Sequence, residues 1–255
     1  DLLALGYNNS VQFVPESAAS AGKNDNSSSY SCSNYRRALP VKWADISRDD
    51  GGATLHTNKP VQLDFGAAGK GYFVDLVMQI IKEEFSDDST ANNYFPSDFD
   101  FLVNAGGDMR ACFSKKNSQI KVALENPFDT TQAVGVASIA SGALCASSAA
   151  RRRWKVKDTN CLAADAFESN VVATHLINAL DGVPSQKLSA SWTYVPAKTC
   201  AFPTAYADAL ATALFISQES DLQKIAQTTG AEFAVMQPNH ALRKTCAFPA
   251  RFFAE

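Results

Sequence analysis

Residues 64–75 read DFGAAGKGYFVD, with Gly66, Gly69 and Gly71 around Lys70 where β-forming sequence gives way to helix-forming sequence. Glycines let backbone N–H groups approach an anion closely, and a helix start adds a partial positive charge. Lys70 adds a full charge suited to a phosphate. The spacing is G-x-x-G-K-G, and Asp64 stands where a P-loop needs its first glycine, so this is not a Walker motif. The same residues also suit a tight structural turn with a solvated lysine.

Three further segments carry candidate chemistry. In NAGGDMR, residues 104–110, Gly106 and Gly107 lie between Asn104 and Asp108, giving either an ordinary turn or exposed N–H donors beside a carboxylate. In YADALATAL, residues 206–214, Asp208 and Thr212 are four apart and share one helix face. A carboxylate and a hydroxyl, completed by carbonyls, phosphate and water, suit magnesium far better than zinc; the plainer alternative is an alanine-rich core helix with a polar rim. In ASSAARRRW, residues 146–154, Ser147, Ser148 and Arg152 could bind a phosphate or a flavin edge, although three consecutive arginines also suit a solvated face. His175, opening HLINALDGVP at a strand end, could shuttle a proton near neutral pH. His56 and His240 read as structural.

These groups need elements to hold them. After the glycine turn, FVDLVMQIIKEEF places Val74, Val77, Met78, Ile81 and Phe85 on one helical face. TLHTNKPVQLDF, FDFLV, IKVALENP (closed by Pro127), AVGVASIAS and SASWTYVPA read as strands. TAYADALATALFI reads as a helix, and SDLQKIAQTTG as another, with Ser220 and Gln223 as a capping box and Gly230 as its stop. EFAVMQP and CAFPARFF suggest closing sheet edges. DLLALGY looks like a helix end capped at Gly6. Residues 15–35 hold seven serines and three asparagines with little to bury, and 155–170 are irregular; both read as loop insertions. No linker divides the 255 residues, so one α+β domain over 1–255 is the economical reading.

Composition narrows the function. The chain is 46% hydrophobic and 19% charged with a formal net charge of −3, which gives no bulk attraction to nucleic acid. No apolar run approaches the ~20 residues that cross a bilayer. The six cysteines form no C-x-x-C pair, and the three histidines lie far apart, which disfavours a zinc site. Free thiols in a reducing, cytoplasmic compartment are the expectation.

The order of these segments resembles the ApbE family of FAD:protein FMN transferases. DFGAAGKGYFVD resembles that family's D-x-G-x-x-x-K-G-Y-x-x-D turn, VNAGGDMRA its V-N-x-G-G-D segment, and ASSAARRRW its A-T-S-G-x-x-x-R-R-W stretch. HLINALDGVP is similar to H-I-I-D-P-x-T-G-x-P, and YADALATAL to A-D-A-L-A-T-A-L. The resemblance implies an α+β domain of mostly antiparallel sheets flanked by helices, holding FAD and Mg²⁺ in a cleft. It has no counterpart here for the family's N-terminal strand and helix region. It also implies transfer of FMN from FAD to a threonine or serine of an acceptor flavoprotein, with AMP released; some members mainly hydrolyse FAD, and others store it. By the same resemblance, Asp208, Thr212 and the Gly69 carbonyl would bind the metal. Asp208 and His175 would be catalytic, His175 as the base or orienting group. Gly69, Lys70, Gly71, Asp75, Asn104, Gly106, Gly107, Asp108, Ser148 and Arg152 would line the nucleotide site. The family's acceptor pattern D-x-x-[ST]-G-A-[ST] is absent, so self-modification is not expected.

Overall fold

The computed structural model describes residues 43–49, 51–52, 54–58, 60–61, 63–85, 100–150, 152–157, 170–178 and 183–253. The readings of 1–35 fall outside these residues, as does most of the second insertion. Along the chain run β1 (Ile46–Arg48), β2 (Leu55–Thr57), α1 (Gly69–Glu84), β3 (Phe101–Ala105), β4 (Asp108–Cys112), β5 (Ile120–Glu125), β6 (Ala133–Ile139) and β7 (Gly142–Ser148). Then come β8 (Arg153–Lys157), β9 (Asn170–Thr174), β10 (Ile177–Asn178), β11 (Val183–Pro184), β12 (Ala190–Pro196) and α2 (Pro203–Ala213). The chain closes with α3 (Leu222–Thr229), β13 (Glu232–Met236), β14 (Leu242–Lys244) and β15 (Ala250–Phe252).

Contacts divide the chain into two compact units. One comprises Asp1–Asp64 with Arg152–Ser185, the other Phe65–Arg151 with Gln186–Glu255. In the first, three antiparallel pairs form, β1 with β2, β8 with β9 and β10 with β11.

The second unit is an α+β sandwich. Its six-stranded antiparallel sheet has the order β14-β13-β12-β7-β4-β3, and a three-stranded sheet has the order β15-β6-β5. Strand alternation sends Leu144, Trp192, Tyr194, Ala234 and Met236 into one core with Leu124, Ala137, Ile139 and Phe248 of the smaller sheet and its flanks. The opposite face of the large sheet carries Ala143, Cys145 and Val195, packed against Ala207 of α2. α1 covers the β3–β4 end and α2 the β7–β12 centre.

α1 begins at Gly69, inside the segment read as a glycine turn, so those glycines supply its first turn. Its core face holds Gly71, Val74, Asp75 and Met78. Val77 and Ile81 are half-buried and Phe85 is exposed, which rotates the expected face toward Asp75. The outer face carries Phe73 and Ile80, both more than half exposed. Of TLHTNKPVQLDF, only Leu55–Thr57 is strand among the described residues. β7 was not expected, because its small and polar residues hide a central strand that is buried over most of its length. The expected capping box also fails: α3 starts one residue later, on Asp221, with no side-chain cap. Gly230 does close α3 in the left-handed conformation, at φ 66°.

Candidate functional site

The site grows from the junction of α1 and α2. α2 starts on Pro203, whose fixed φ suits a first helical position. Its N-cap residue, Phe202, contributes no side-chain bond, so the first amides need an acceptor from elsewhere. Asp75 of α1 supplies it. Its carboxylate accepts from Thr204 N at 2.9 Å, Ala205 N at 2.9 Å and Thr204 Oγ1 at 2.6 Å. Arg110 Nη1 donates to the same carboxylate at 2.9 Å, and both side chains are buried. Burial pulls the Arg110 guanidinium below its ordinary pKa, against the opposing charge of Asp75.

The reciprocal bond runs from Gly71 N, in the first turn of α1, to Asp208 Oδ2 of α2 at 3.1 Å. The helices approach so closely here that a Cβ on Gly71 would lie 2.4 Å from the Thr204 carbonyl oxygen. Gly69 is not crowded in this way; a Cβ there would first meet Phe65 Cβ at 3.8 Å.

β3 and β4 bring the second carboxylate. Gly106 and Gly107 both take positive φ, 65° and 106°, which makes the two-residue turn that matches strand twist. Asn104 Oδ1 accepts from Gly107 N at 2.9 Å. The turn is exposed, and a Cβ at either glycine would meet nothing within 4 Å. Asp108, 1% exposed, follows at once and pairs with Lys70.

Electrostatics tie these groups together. Burial and the charge of Asp108 raise the Asp208 carboxyl from 3.8 to about 6, against the Gly71 amide and the Lys70 charge. Burial works to lower Lys70, but the Asp108 hydrogen bond and the charges of Asp108 and Asp208 prevail and raise it. Burial, with both aspartates, pushes the Cys145 thiol well above its ordinary value. Further along α2, Thr212 Oγ1 and Ser147 Oγ lie 3.0 Å apart.

The structure therefore gathers Lys70, Gly71, Asp108 and Asp208, with Thr212 one turn along the same helix. Two residues assigned to the nucleotide by the resemblance make contacts within the protein. Both oxygens of Asp75 are taken up in capping α2. Ser148 alternates to the opposite strand face from Ser147, accepting from Ala150 N at 3.1 Å and donating to Ser189 O at 3.2 Å. His175, half-buried just after β9, and Arg152, exposed just before β8, belong to the other compact unit. Arg110 was not singled out as a site residue, and Ser147, named beside Ser148 as a phosphate or flavin contact, instead meets Thr212. The signal for Arg110 was its parity, two positions from Asp108 on one strand.

Among the described residues, no group of three or more His, Cys, Asp and Glu side chains could hold a metal ion. The donors at hand are instead two clustered carboxylates, a hydroxyl and helix-start backbone, all hard oxygens. That set fits magnesium. No described helix is long and apolar enough to cross a membrane. Cys112, Cys145, Cys200 and Cys246 are free thiols.

Comparison with known proteins gives one consistent answer. The ApbE family model matches residues 17–236. The ApbE protein of Thermotoga maritima MSB8 superposes with a TM-score of 0.62 at 20% identity, over 82% of this chain and 60% of that one. The apo form of the flavinyl transferase ApbE of Pseudomonas stutzeri gives 0.56 at 19%, over 82% and 57%. The flavin transferase ApbE of Vibrio cholerae gives 0.53 at 14%, over 81% and 57%. At these identities the likeness is one of fold, and the chain spans about three-fifths of the length of these structures. Comparison with curated proteins gives no match.

Proposed function

This chain belongs to the ApbE family, and from that premise we propose that it carries the core of a Mg²⁺-dependent FAD:protein FMN transferase. The observation that carries the reading is the convergence of Lys70, Asp108 and Asp208, from three separate motifs, on the α1–α2 junction. FAD is the substrate. Lys70 provides charge for its pyrophosphate, and the exposed Gly106–Gly107 turn, whose Gly107 N–H is held by Asn104, lines the nucleotide site. Arg152, from the other unit, is assigned to the nucleotide on sequence alone.

Asp208, Thr212 and the Gly69 carbonyl would hold the magnesium ion. Bound there, it would neutralise charge at the phosphorus as the bond to the leaving group lengthens. The acceptor protein's threonine or serine oxygen forms the new P–O bond to the FMN phosphorus. The bond to the bridging oxygen breaks, and AMP leaves with that oxygen. The hydroxyl proton needs an acceptor, and by the resemblance alone His175 is assigned as the base or orienting group for the incoming hydroxyl.

A second reading keeps the same site but gives it water or no nucleophile, so that the protein hydrolyses or stores FAD. The departures at Asn178, Ala179 and Asp181 from the family's H-I-I-D-P-x-T-G-x-P segment favour it. The experiment is incubation with FAD, Mg²⁺ and a small protein bearing the D-x-x-[ST]-G-A-[ST] motif, read by intact mass. An FMN adduct abolished by EDTA supports transfer. FMN and AMP without adduct support hydrolysis, bound unchanged FAD supports storage, and no FAD binding overturns both.

A further inference from the structure

We propose that Ser147 is a positioning residue that sets the Thr212 hydroxyl for cation binding, an inference that rests on the magnesium site proposed above. Helical threonines and serines usually satisfy their hydroxyl on the carbonyl one turn back. This chain does so in α3 at Thr228 and Thr229, whose hydroxyls donate to the carbonyls of Lys224 and Ile225 at 2.8 and 2.7 Å. Thr212 departs from that habit. Its hydroxyl meets Ser147 Oγ at 3.0 Å instead, across to the central strand β7.

The surrounding bonds fix this contact. Ser147 is 9% exposed and lies opposite Ser191 of β12. Ser191, fully buried, donates to the Ala211 carbonyl at 2.6 Å, pinning the turn of α2 that carries Thr212. Nearer the start of the helix, Cys145 of β7 approaches the Thr204 carbonyl at 3.6 Å. Of these sheet-to-helix contacts, the one from Ser147 ends on a side chain that shares a face with Asp208. A hydroxyl that ligates a cation presents a lone pair and must pass its proton to another acceptor. The 3.0 Å contact allows either hydroxyl to donate; with Thr212 donating, Ser147 Oγ accepts the bond and the Thr212 lone pairs turn away from the sheet. The family pattern A-T-S-G carries threonine where this chain has Ser147, so the requirement is for a hydroxyl and not for serine as such.

The test is Mn²⁺ binding to the full chain, followed by the loss of the free-ion EPR signal, with folding checked by urea midpoint. Thr212→Ala reports on the metal site itself. Ser147→Ala should weaken Mn²⁺ binding by about 10-fold, the low end for a residue behind a metal ligand, and Ser147→Thr should restore it. Ser191→Ala, which removes a neighbouring anchor of the same helix, should lower stability but leave Mn²⁺ affinity in place. If Ser147→Ala binds Mn²⁺ like the wild type while Thr212→Ala does not, the positioning role is wrong and the metal site stands. If the wild type and Thr212→Ala bind equally, or neither binds, the metal site falls and this inference with it.

Discussion

Gly71 and Asp208, separated by 137 positions, are joined by a 3.1 Å hydrogen bond from the first turn of one helix to a carboxylate of the other. Asp75 returns the arrangement, reaching from α1 to the first amides of α2. Each helix thus accepts its partner's orphan N-terminal donors on a buried acid, where the helix dipole also favours negative charge. This double cap explains how Asp208 is held in a site it shares with a second carboxylate, Asp108. The charge cluster and the helix packing are therefore one construction, and substitutions here separate into those that move the helices and those that move charge.

Replacing Gly71 tests the packing half. Gly71→Ala would place a methyl 2.4 Å from the Thr204 carbonyl oxygen, so α1 and α2 must part and the bond to Asp208 must lengthen. The expected cost is about 1–3 kcal/mol, typical of overpacking. Gly69→Ala, two residues earlier, meets only ordinary contact and should gain about 0.5–1 kcal/mol through reduced chain entropy in the unfolded state. Urea denaturation of both variants checks the contrast; equal effects would mean that the close approach is not rigid.

Asp75→Ala should be the most damaging single change in this region. It strands the buried Arg110 guanidinium and uncaps Thr204 and Ala205 together. Removing one partner of a buried pair costs about 3–5 kcal/mol. Asp75→Asn keeps an acceptor oxygen and should lose less. Thermal and urea midpoints measure both, and an Asp75→Ala protein of near wild-type stability would show that the capping carries little weight.

Much of this was legible in the residues, and the failures have physical causes. Asp208 and Thr212 could be placed on one face from spacing alone, and Gly106–Gly107 could be recognised as a turn from composition. Motif order says which residues travel together, not which way each side chain faces, so the cap that Asp75 places on α2 could not be read. The face of α1 that carries Asp75 also carries Gly71 and Met78, and that face packs inward. β7 escaped because its residues, GALCASS, owe their burial to neighbours on both sides rather than to strand propensity. Ser147 was named as a candidate, but its pairing with Thr212 could not be read, since strand parity cannot be used before the strand is recognised.

Asp208 gives the metal-free protein a pH-dependent stability of definite sign. Its folded pKa, about 6, lies above the ordinary 3.8, so between roughly pH 4 and 6 the folded state binds more protons than the unfolded state. This group's contribution to stability therefore falls as pH rises through that window and is flat above it. Asp208→Asn cannot ionise and should remove this part of the slope. Urea midpoints measured in EDTA from pH 4 to 7 compare the two proteins; parallel curves would exclude Asp208 as the source.

The thiols should sort by environment. Cys200 and Cys246 are exposed, whereas Cys145 is buried with a pKa pushed well up by desolvation and the nearby aspartates. Reactivity follows thiolate fraction and access. Brief iodoacetamide treatment of the folded protein should modify Cys200 and Cys246 and spare Cys145, which reacts only after denaturation. Peptide mapping reads this directly, and early modification of Cys145 would mean that the sheet and α2 separate readily.

Lys70 stands between two roles that one substitution can separate. Its ammonium pairs with Asp108 and lies within electrostatic reach of Asp208, the same carboxylates that a divalent cation would draw upon. With no nucleotide present, lysine and cation therefore compete for negative charge. Lys70→Met should tighten Mn²⁺ binding by about 10-fold, as expected when one unit charge a few ångströms away is removed in a partly solvated site. The same variant should bind FAD more weakly, because a positive charge for the pyrophosphate is gone. Opposite movement of the two affinities is the signature of a lysine that serves the nucleotide at the metal's expense. A parallel loss of both would instead show that Lys70 acts by holding Asp108 in place.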